Sequence, residues 1–324
     1  MSKKQFKVSN QTEVKKTDTD KRQSPALIPA YRDTFIHFLF ATPGNEYILL
    51  DFLNSILEND GQQQVKSVKP SNPFNPQTFV TDKYTILDVK ATDDTGGIFV
   101  VEFQSWEHAA FENRMLYYCC KSFCLQIGEG EEYTVLKLVI GIAIVAYPLK
   151  DKELPDVHNS FRLTAKKNPK RVFADGSGIE IHTLEVIDEK EDLFSELKPR
   201  LRSWANFFHY ADKKSEAEMT VLLDNPATGR AYEKYKQFNQ DEKMRALDNA
   251  HQQYLHDYAT DVGTAHRKGL AEGKAEGLAE GEAKGKAEGK AEIALAMKSK
   301  GFTLSDIANI TGLSTSEIEG LPQQ

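Results

Sequence analysis

A predicted β-hairpin carries four polar side chains at alternating positions. Residues 84–91 (YTILDVKA) and 98–104 (IFVVEFQ) alternate with a period of two, which is typical of strands, and the turn between them contains Gly96-Gly97. Asp88 and Lys90 fall on one face of the first strand, and Glu102 and Gln104 on one face of the second. In a hairpin closed at these glycines the two faces can coincide. We therefore expect Asp88 and Glu102 to lie side by side.

Two adjacent carboxylates repel each other unless a cation lies between them. Mg²⁺ and Mn²⁺ prefer oxygen ligands of this kind, and the backbone carbonyl of Phe103 can supply a third. An ion held there can activate water and polarise a phosphoryl oxygen. The alternative is a hairpin whose polar side chains simply face solvent.

The elements around this hairpin predict an α/β sandwich. Helical spacing over residues 29–58 is interrupted at Pro43-Gly44-Asn45, which predicts two helices. A further helix is expected over 107–127, with an apolar side made of Leu116, Tyr117, Cys120, Phe123, Cys124 and Ile127. The near-continuous apolar run 135–147 predicts a strand buried on both faces. A strand over 178–187 and helices over 189–210 and 212–260 complete the order.

Composition excludes several classes of protein. The chain has 324 residues, of which 40% are hydrophobic and 27% charged, as in globular proteins. Its net charge of −7 excludes a histone-like basic protein. The three cysteines lie within six residues and predict reduced thiols, and the polar, lysine-rich N-terminus has no apolar signal segment. We therefore expect a cytoplasmic protein without a membrane partner.

The two ends of the chain differ from its centre. Residues 1–28 are expected to be a disordered basic tail, 29–211 the α/β domain that contains the hairpin and 212–265 a helical segment. In residues 266–292 a glycine recurs every fourth position among Ala, Glu and Lys, which predicts a helix of marginal stability. This helix is either a spacer or a surface through which the chain forms a homo-oligomer.

Residues 293–324 predict a helical hairpin, with Ser305 capping its first helix. Its layout is similar to a helix-turn-helix, but the second helix carries Glu317 and Glu319 and no basic residue. Packing or oligomerisation therefore suits this hairpin better than reading DNA.

The sequence resembles the PD-(D/E)XK nuclease family transposases, also called recombination-promoting nucleases. The resemblance rests on the D-x13-E-x-Q pattern from Asp88 to Gln104, on the glycine repeats and on the order of several short segments. These are 31–40 (YRDTFIHFLF), 50–57 (LDFLNSIL), 87–89 (LDV), 101–104 (VEFQ), 114–118 (RMLYY) and 301–314 (GFTLSDIANITGLS).

This resemblance implies a restriction-endonuclease-like sandwich core with a C-terminal helical extension, and Mg²⁺- or Mn²⁺-dependent cleavage of DNA. It implies that Asp88 and Glu102 are metal ligands and that Asp33 is the acidic residue contributed by the first helix. Gln104 takes a position where lysine is usual in the superfamily, so it supplies no positive charge. Lys90, on the face of Asp88, either replaces that charge or is an ordinary exposed lysine.

Two other functions remain open from the sequence. A catalytically weak member of the family can act as a DNA-binding accessory in recombination, and a pure oligomerisation scaffold can be built on the glycine-repeat helix. The acidic central part of the chain favours these alternatives, whereas a basic cleft beside Asp88 would favour the nuclease.

Overall fold

The computed structural model describes residues 26–74, 89–104, 110–148, 156–187 and 193–322. The chain divides into two compact units, Met1–Ala250 and His251–Gln324.

The first unit opens with two helices, α1 (Asp33–Ala41) and α2 (Glu46–Asn59). The break predicted at Pro43-Gly44-Asn45 is confirmed, and Gly44 adopts a left-handed φ of 92° that favours glycine. The Asn45 amide donates to the Leu39 carbonyl across 3.0 Å, so the turn is tied to the end of α1. Phe35, Phe40 and Phe52 on these helices are fully buried.

A six-stranded mixed sheet forms the centre of this unit. In spatial order its strands are β1 (Val68–Pro70), β2 (Val89–Asp93), β3 (Ile98–Gln104), β4 (Val139–Val145), β8 (Ile179–Glu185) and β5 (His158–Arg162). The β3–β4 and β4–β8 pairs are parallel, and the other pairs are antiparallel. All seven residues of β4 are buried, which confirms the prediction of a strand covered on both faces.

One face of the sheet packs against helices rich in aromatic residues. These are α1 and α2 together with α4 (Pro199–Tyr210) and α6 (Pro226–Gln240), and the short α5 (Glu216–Leu222) lies between the latter two in sequence. Trp204 stacks on Phe208 with ring centroids 5.7 Å apart. The α/β sandwich predicted from the sequence is confirmed.

The other face of the sheet is covered by α3 (Phe111–Cys124). The predicted apolar side of this helix is wrong, because Leu116, Tyr117, Cys120 and Cys124 are exposed. The helix instead buries Phe111, Met115, Cys119 and Ser122. The helix carries apolar side chains on several of its sides, so the sheet surface against which it packs decides which side is buried. That surface includes Gly141 of β4, where an added Cβ would lie 2.4 Å from Met115 Cε and 2.6 Å from Cys119 Sγ.

Two short strands, β6 (Thr164–Ala165) and β7 (Asn168–Val172), form a separate antiparallel ribbon that directly follows β5. The sequence analysis predicted no strands here, because Pro169 and the surrounding lysines are unusual in strands.

Helix α7 (Glu242–Ser299) contains the glycine repeats, so the helix predicted for residues 266–292 is confirmed. No atom outside the helix's own local backbone lies within 4 Å of a Cβ built on any of the six repeat glycines. Leu270 and Leu278 on this helix are each 67% exposed.

The chain closes with α8 (Leu304–Thr311) and α9 (Thr315–Glu319), which pack against the end of α7. The predicted cap Ser305 is wrong, since Thr303 accepts the backbone N–H of Asp306 at 3.2 Å. Ala294, Ile307 and Ile318 are buried at the centre of this packing. None of the described helices is both long enough and apolar enough to cross a membrane.

Candidate active site

Glu102 of β3 is a buried carboxylate held by two neighbours. Its side chain is only 5% exposed. The Arg114 guanidinium of α3 donates to Glu102 Oε1 across 2.5 Å, and the Gln104 amide donates to the same oxygen across 2.8 Å. Charge-assisted bonds of this kind offset the cost of burying the carboxylate.

The hairpin register places Lys90 on the face of Glu102. Lys90 pairs with Val100 and Val89 with Val101, and residues directly opposite each other share a face. Glu102 and Gln104 are two and four residues beyond Val100, so they belong to the same face. Asp88, the residue before Val89, lies outside the described residues.

Phe103 contributes its side chain to the core and its backbone carbonyl to the site. Its side chain points into the core and stacks on Tyr31, with ring centroids 5.7 Å apart and planes inclined by 14°. Its carbonyl accepts a hydrogen bond of 2.9 Å from the Gln104 amide. This carbonyl is therefore next to the Glu102 carboxylate, because both accept hydrogen bonds from one amide nitrogen.

Asp33, the first residue of α1, is electrostatically coupled to Glu102. The pKa of Asp33 is raised to about 7, mainly by burial. The carboxylates of Glu102 and Asp248 contribute to this rise, and the Arg32 guanidinium opposes it. Thr34, the next residue, donates to Asp248 and so fixes the start of α1 against the first turns of α7. The site thus gathers negative charge in a poorly solvated place.

A second polar cluster, which the sequence analysis missed, lies on the α2 side of the sheet. Ligand-type atoms of Asp60, Glu180 and His182 lie within 4.8 Å of one another. His158 stacks on His182 with 3.0 Å between Nε2 and Nδ1. Glu180 and His182 alternate along the predicted strand 178–187, but Asp60 is more than a hundred residues away, so no sequence spacing revealed this cluster.

The carboxylates of this cluster already have cationic and amide partners. Arg162 contacts Asp60 at 3.3 Å and Glu180 at 3.2 Å, and the Gln62 amide donates to both. We therefore interpret the cluster as a network that joins the end of α2 to the edge of the sheet.

The other residues singled out in the sequence have ordinary positions. Cys120 and Cys124 are exposed on α3. Arg114, which begins the segment 114–118 of the family resemblance, points to Glu102.

The first unit thus has a mixed sheet in which the β2–β3 hairpin ends near a buried glutamate, Glu102. The model for the PD-(D/E)XK nuclease family transposases matches residues 31–265. The chain belongs to this family. No curated protein and no solved structure gives a significant match. The match includes α1, the whole sheet and α3, so the PD-(D/E)XK nuclease fold predicted from the sequence is confirmed.

We predict that His158 makes folding of this PD-(D/E)XK protein sensitive to acid. Burial lowers the pKa of His158 to about 4, and the neighbouring His182 lowers it further, against opposing effects of Asp60 and Glu180. The unfolded chain therefore binds a proton near pH 6.5 that the folded chain binds only near pH 4. The free energy of unfolding should fall as pH decreases between these values.

The measurement is urea unfolding of wild type and of His158→Gln at pH 7 and pH 4.5. The variant keeps hydrogen-bonding capacity but does not titrate, so its loss of unfolding free energy should be smaller by about 1–2 kcal/mol. His256→Gln, on an exposed histidine, should behave as wild type. Equal acid sensitivity in all three proteins would contradict the prediction.

Proposed function

We propose that this protein is a metal-dependent DNA endonuclease that hydrolyses phosphodiester bonds and is associated with recombination or mobile elements. The observation that carries the proposal is Glu102, a buried carboxylate at the end of β3 on which Arg114 and Gln104 converge and to which Asp33 is coupled. Membership of the nuclease family supports the reaction class. We further propose that the protein acts in the cytoplasm.

The oxygen atoms at this site suit Mg²⁺ or Mn²⁺. Asp88, Glu102 and the carbonyl of Phe103 are the proposed ligands, and hard divalent cations prefer such oxygens. Burial is the main cause of the raised pKa of Asp33 and the Glu102 carboxylate adds to it, and this added negative charge is what a cation would neutralise. When bound, the ion would supply Lewis-acid polarisation of a phosphoryl oxygen and a lowered pKa of its water.

The remaining residues act around that ion. The Gln104 amide orients a water molecule or a phosphate oxygen, as an uncharged donor can. Arg114 holds Glu102 in the absence of a metal and can turn to a phosphate when a cation replaces it. Asp33 has a pKa near neutrality, which suits a group that exchanges a proton with the reacting water at neutral pH.

We predict that removing either proposed metal ligand abolishes Mg²⁺-dependent cleavage. Asp88→Ala and Glu102→Gln each remove a carboxylate that the ion requires, so plasmid nicking by purified protein should fall to background. The melting temperature of Asp88→Ala should stay near wild type, because one of two repelling carboxylates is lost. Glu112→Gln, on the exposed side of α3, is the matched control and should cleave normally. Cleavage by both ligand variants would refute the proposal, and DNA binding by wild type without cleavage would indicate the accessory function.

We predict that Lys90 replaces the charge that Gln104 lacks. Lys90→Ala should reduce the cleavage rate by roughly 10²–10³-fold, the effect of losing one transition-state contact. Adding Gln104→Lys to that variant should restore part of the rate, since it returns a cation to the same face. An unchanged rate in Lys90→Ala would place Lys90 among the exposed surface residues.

We propose that the protein forms homo-oligomers through the glycine-repeat segment of α7, residues 266–292. Its glycines offer a surface without side chains, and six acidic and six basic residues leave it without net charge. Deleting residues 266–324 should therefore lower the mass seen by light scattering and leave cleavage per active site unchanged. A truncated protein that keeps its mass but loses DNA binding would instead favour the helix-turn-helix interpretation.

A further inference from the structure

The segment 158–173, which comprises β5 and the ribbon of β6 and β7, differs in charge from the rest of the chain. Five of the 41 lysines and arginines lie in these 16 residues, and none of the 48 acidic residues does. Arg162 is engaged by Asp60 and Glu180. The other four are Lys166, Lys167, Lys170 and Arg171, and we call them the ribbon cations.

The ribbon cations are exposed and available to a ligand. Lys166 and Lys167 form the turn at the tip of the ribbon, and Lys170 and Arg171 follow in β7. Across the described part of the chain, none of the four has a carboxylate within ion-pair distance. Such a concentration of positive charge on a net acidic protein attracts polyanions locally.

Exposed apolar side chains lie beside the ribbon cations. Leu163 is 65% exposed and Phe173 is 73% exposed. The Phe173 N–H donates to the Leu163 carbonyl across 2.8 Å, so the two residues are opposite each other on the ribbon. Arg171 is two residues before Phe173 and shares its face. Cations next to exposed apolar and aromatic side chains are the combination with which proteins contact phosphates and bases together.

We propose that this ribbon is a duplex-DNA contact surface, separate from the candidate active site. This proposal rests on the proposed nuclease function and adds to it the surface that holds the substrate. A two-stranded ribbon fits the major groove, which is about 12 Å wide, and the ribbon cations complement its phosphates.

The position of the ribbon suits a single duplex that also reaches the active site. Arg162, just before the ribbon, pairs with Glu180 and is level with Phe99, five residues before Gln104 along β3. At about 3.3 Å per residue and about 4.8 Å per strand, the base of the ribbon is roughly 20–25 Å from the end of β3. This separation is shorter than one turn of B-DNA, about 34 Å, so one duplex is long enough to contact both the ribbon and the end of β3.

The test is DNA binding by the full chain in EDTA, where metal-dependent cleavage is absent. The probe is a fluorescent duplex about three helical turns long, and its anisotropy is measured over a series of salt concentrations. The ribbon variant carries Lys166→Gln, Lys167→Gln, Lys170→Gln and Arg171→Gln. Each phosphate contact contributes about 0.9 to the magnitude of the slope of log K against log salt, so the loss of four contacts should decrease it by about 3.6. Affinity at low salt should fall at least about tenfold.

A matched control removes four exposed cations outside both the ribbon and the glycine-repeat segment, with Lys66→Gln, Lys137→Gln, Lys213→Gln and Lys243→Gln. This control should retain the wild-type slope, and thermal melting should confirm that both variants are folded. An equal loss in the control would attribute binding to net charge and overturn the proposal. Unchanged binding by a folded ribbon variant would also overturn it, as would wild-type capture by acidic phosphatidylserine vesicles without binding to the duplex.

Phe173→Ser provides a second measurement. It removes an apolar contact but no charge, so affinity should fall while the salt slope stays unchanged. A ribbon-dependent affinity without any cleavage in Mg²⁺ would leave this proposal intact and reject the nuclease function. Normal cleavage together with unchanged binding by the ribbon variant would reject this proposal and leave the nuclease function intact.

Discussion

The close approach of α3 to β4 at Gly141 determines the arrangement of the candidate site. A side chain at this position would collide with Met115 and Cys119, so the missing Cβ allows the helix to lie directly on the sheet. Arg114 precedes Met115, and the same contact brings its guanidinium to Glu102. This contact gives the buried Glu102 carboxylate a charged partner, which offsets the cost of its burial.

The two faces of the sheet have different roles because they have different coverings. The α1 and α2 face is packed by aromatic rings and contains polar networks, among them the one in which Arg162 and Gln62 satisfy the carboxylates of Asp60 and Glu180. The α3 face has a smaller apolar cluster, which includes Met115 and Cys119, and it also carries the buried Glu102 carboxylate. The Arg114 guanidinium and the Gln104 amide stabilise that carboxylate.

The charges of the protein are distributed according to the chemistry proposed for it. Negative charge gathers at Glu102 and Asp33, where a divalent ion would neutralise it, and Glu102 adds to the rise in the pKa of Asp33 that burial mainly causes. Positive charge gathers on the ribbon that follows β5, away from the end of β3 that carries Glu102. A net acidic chain can therefore still present phosphate-binding groups, because screening makes local charge more important than the total at contact distance.

The sequence by itself determined the helices and strands that depend on local patterns, the shared face of Lys90, Glu102 and Gln104 in the hairpin, and the family. Periods of two and of 3.6 residues, together with the break at Pro43-Gly44-Asn45, depend on neighbouring residues alone, so α1, α2, β3 and β4 were predicted where they occur. The pairing of Lys90 with Val100 likewise follows from one turn. The tertiary structure decided which side of α3 is buried, since apolar residues surround that helix and Gly141 selects the side. It also decided the pairing of Arg114 with Glu102, the network around His182 and the ribbon after β5, because each depends on residues that approach only when distant segments pack together.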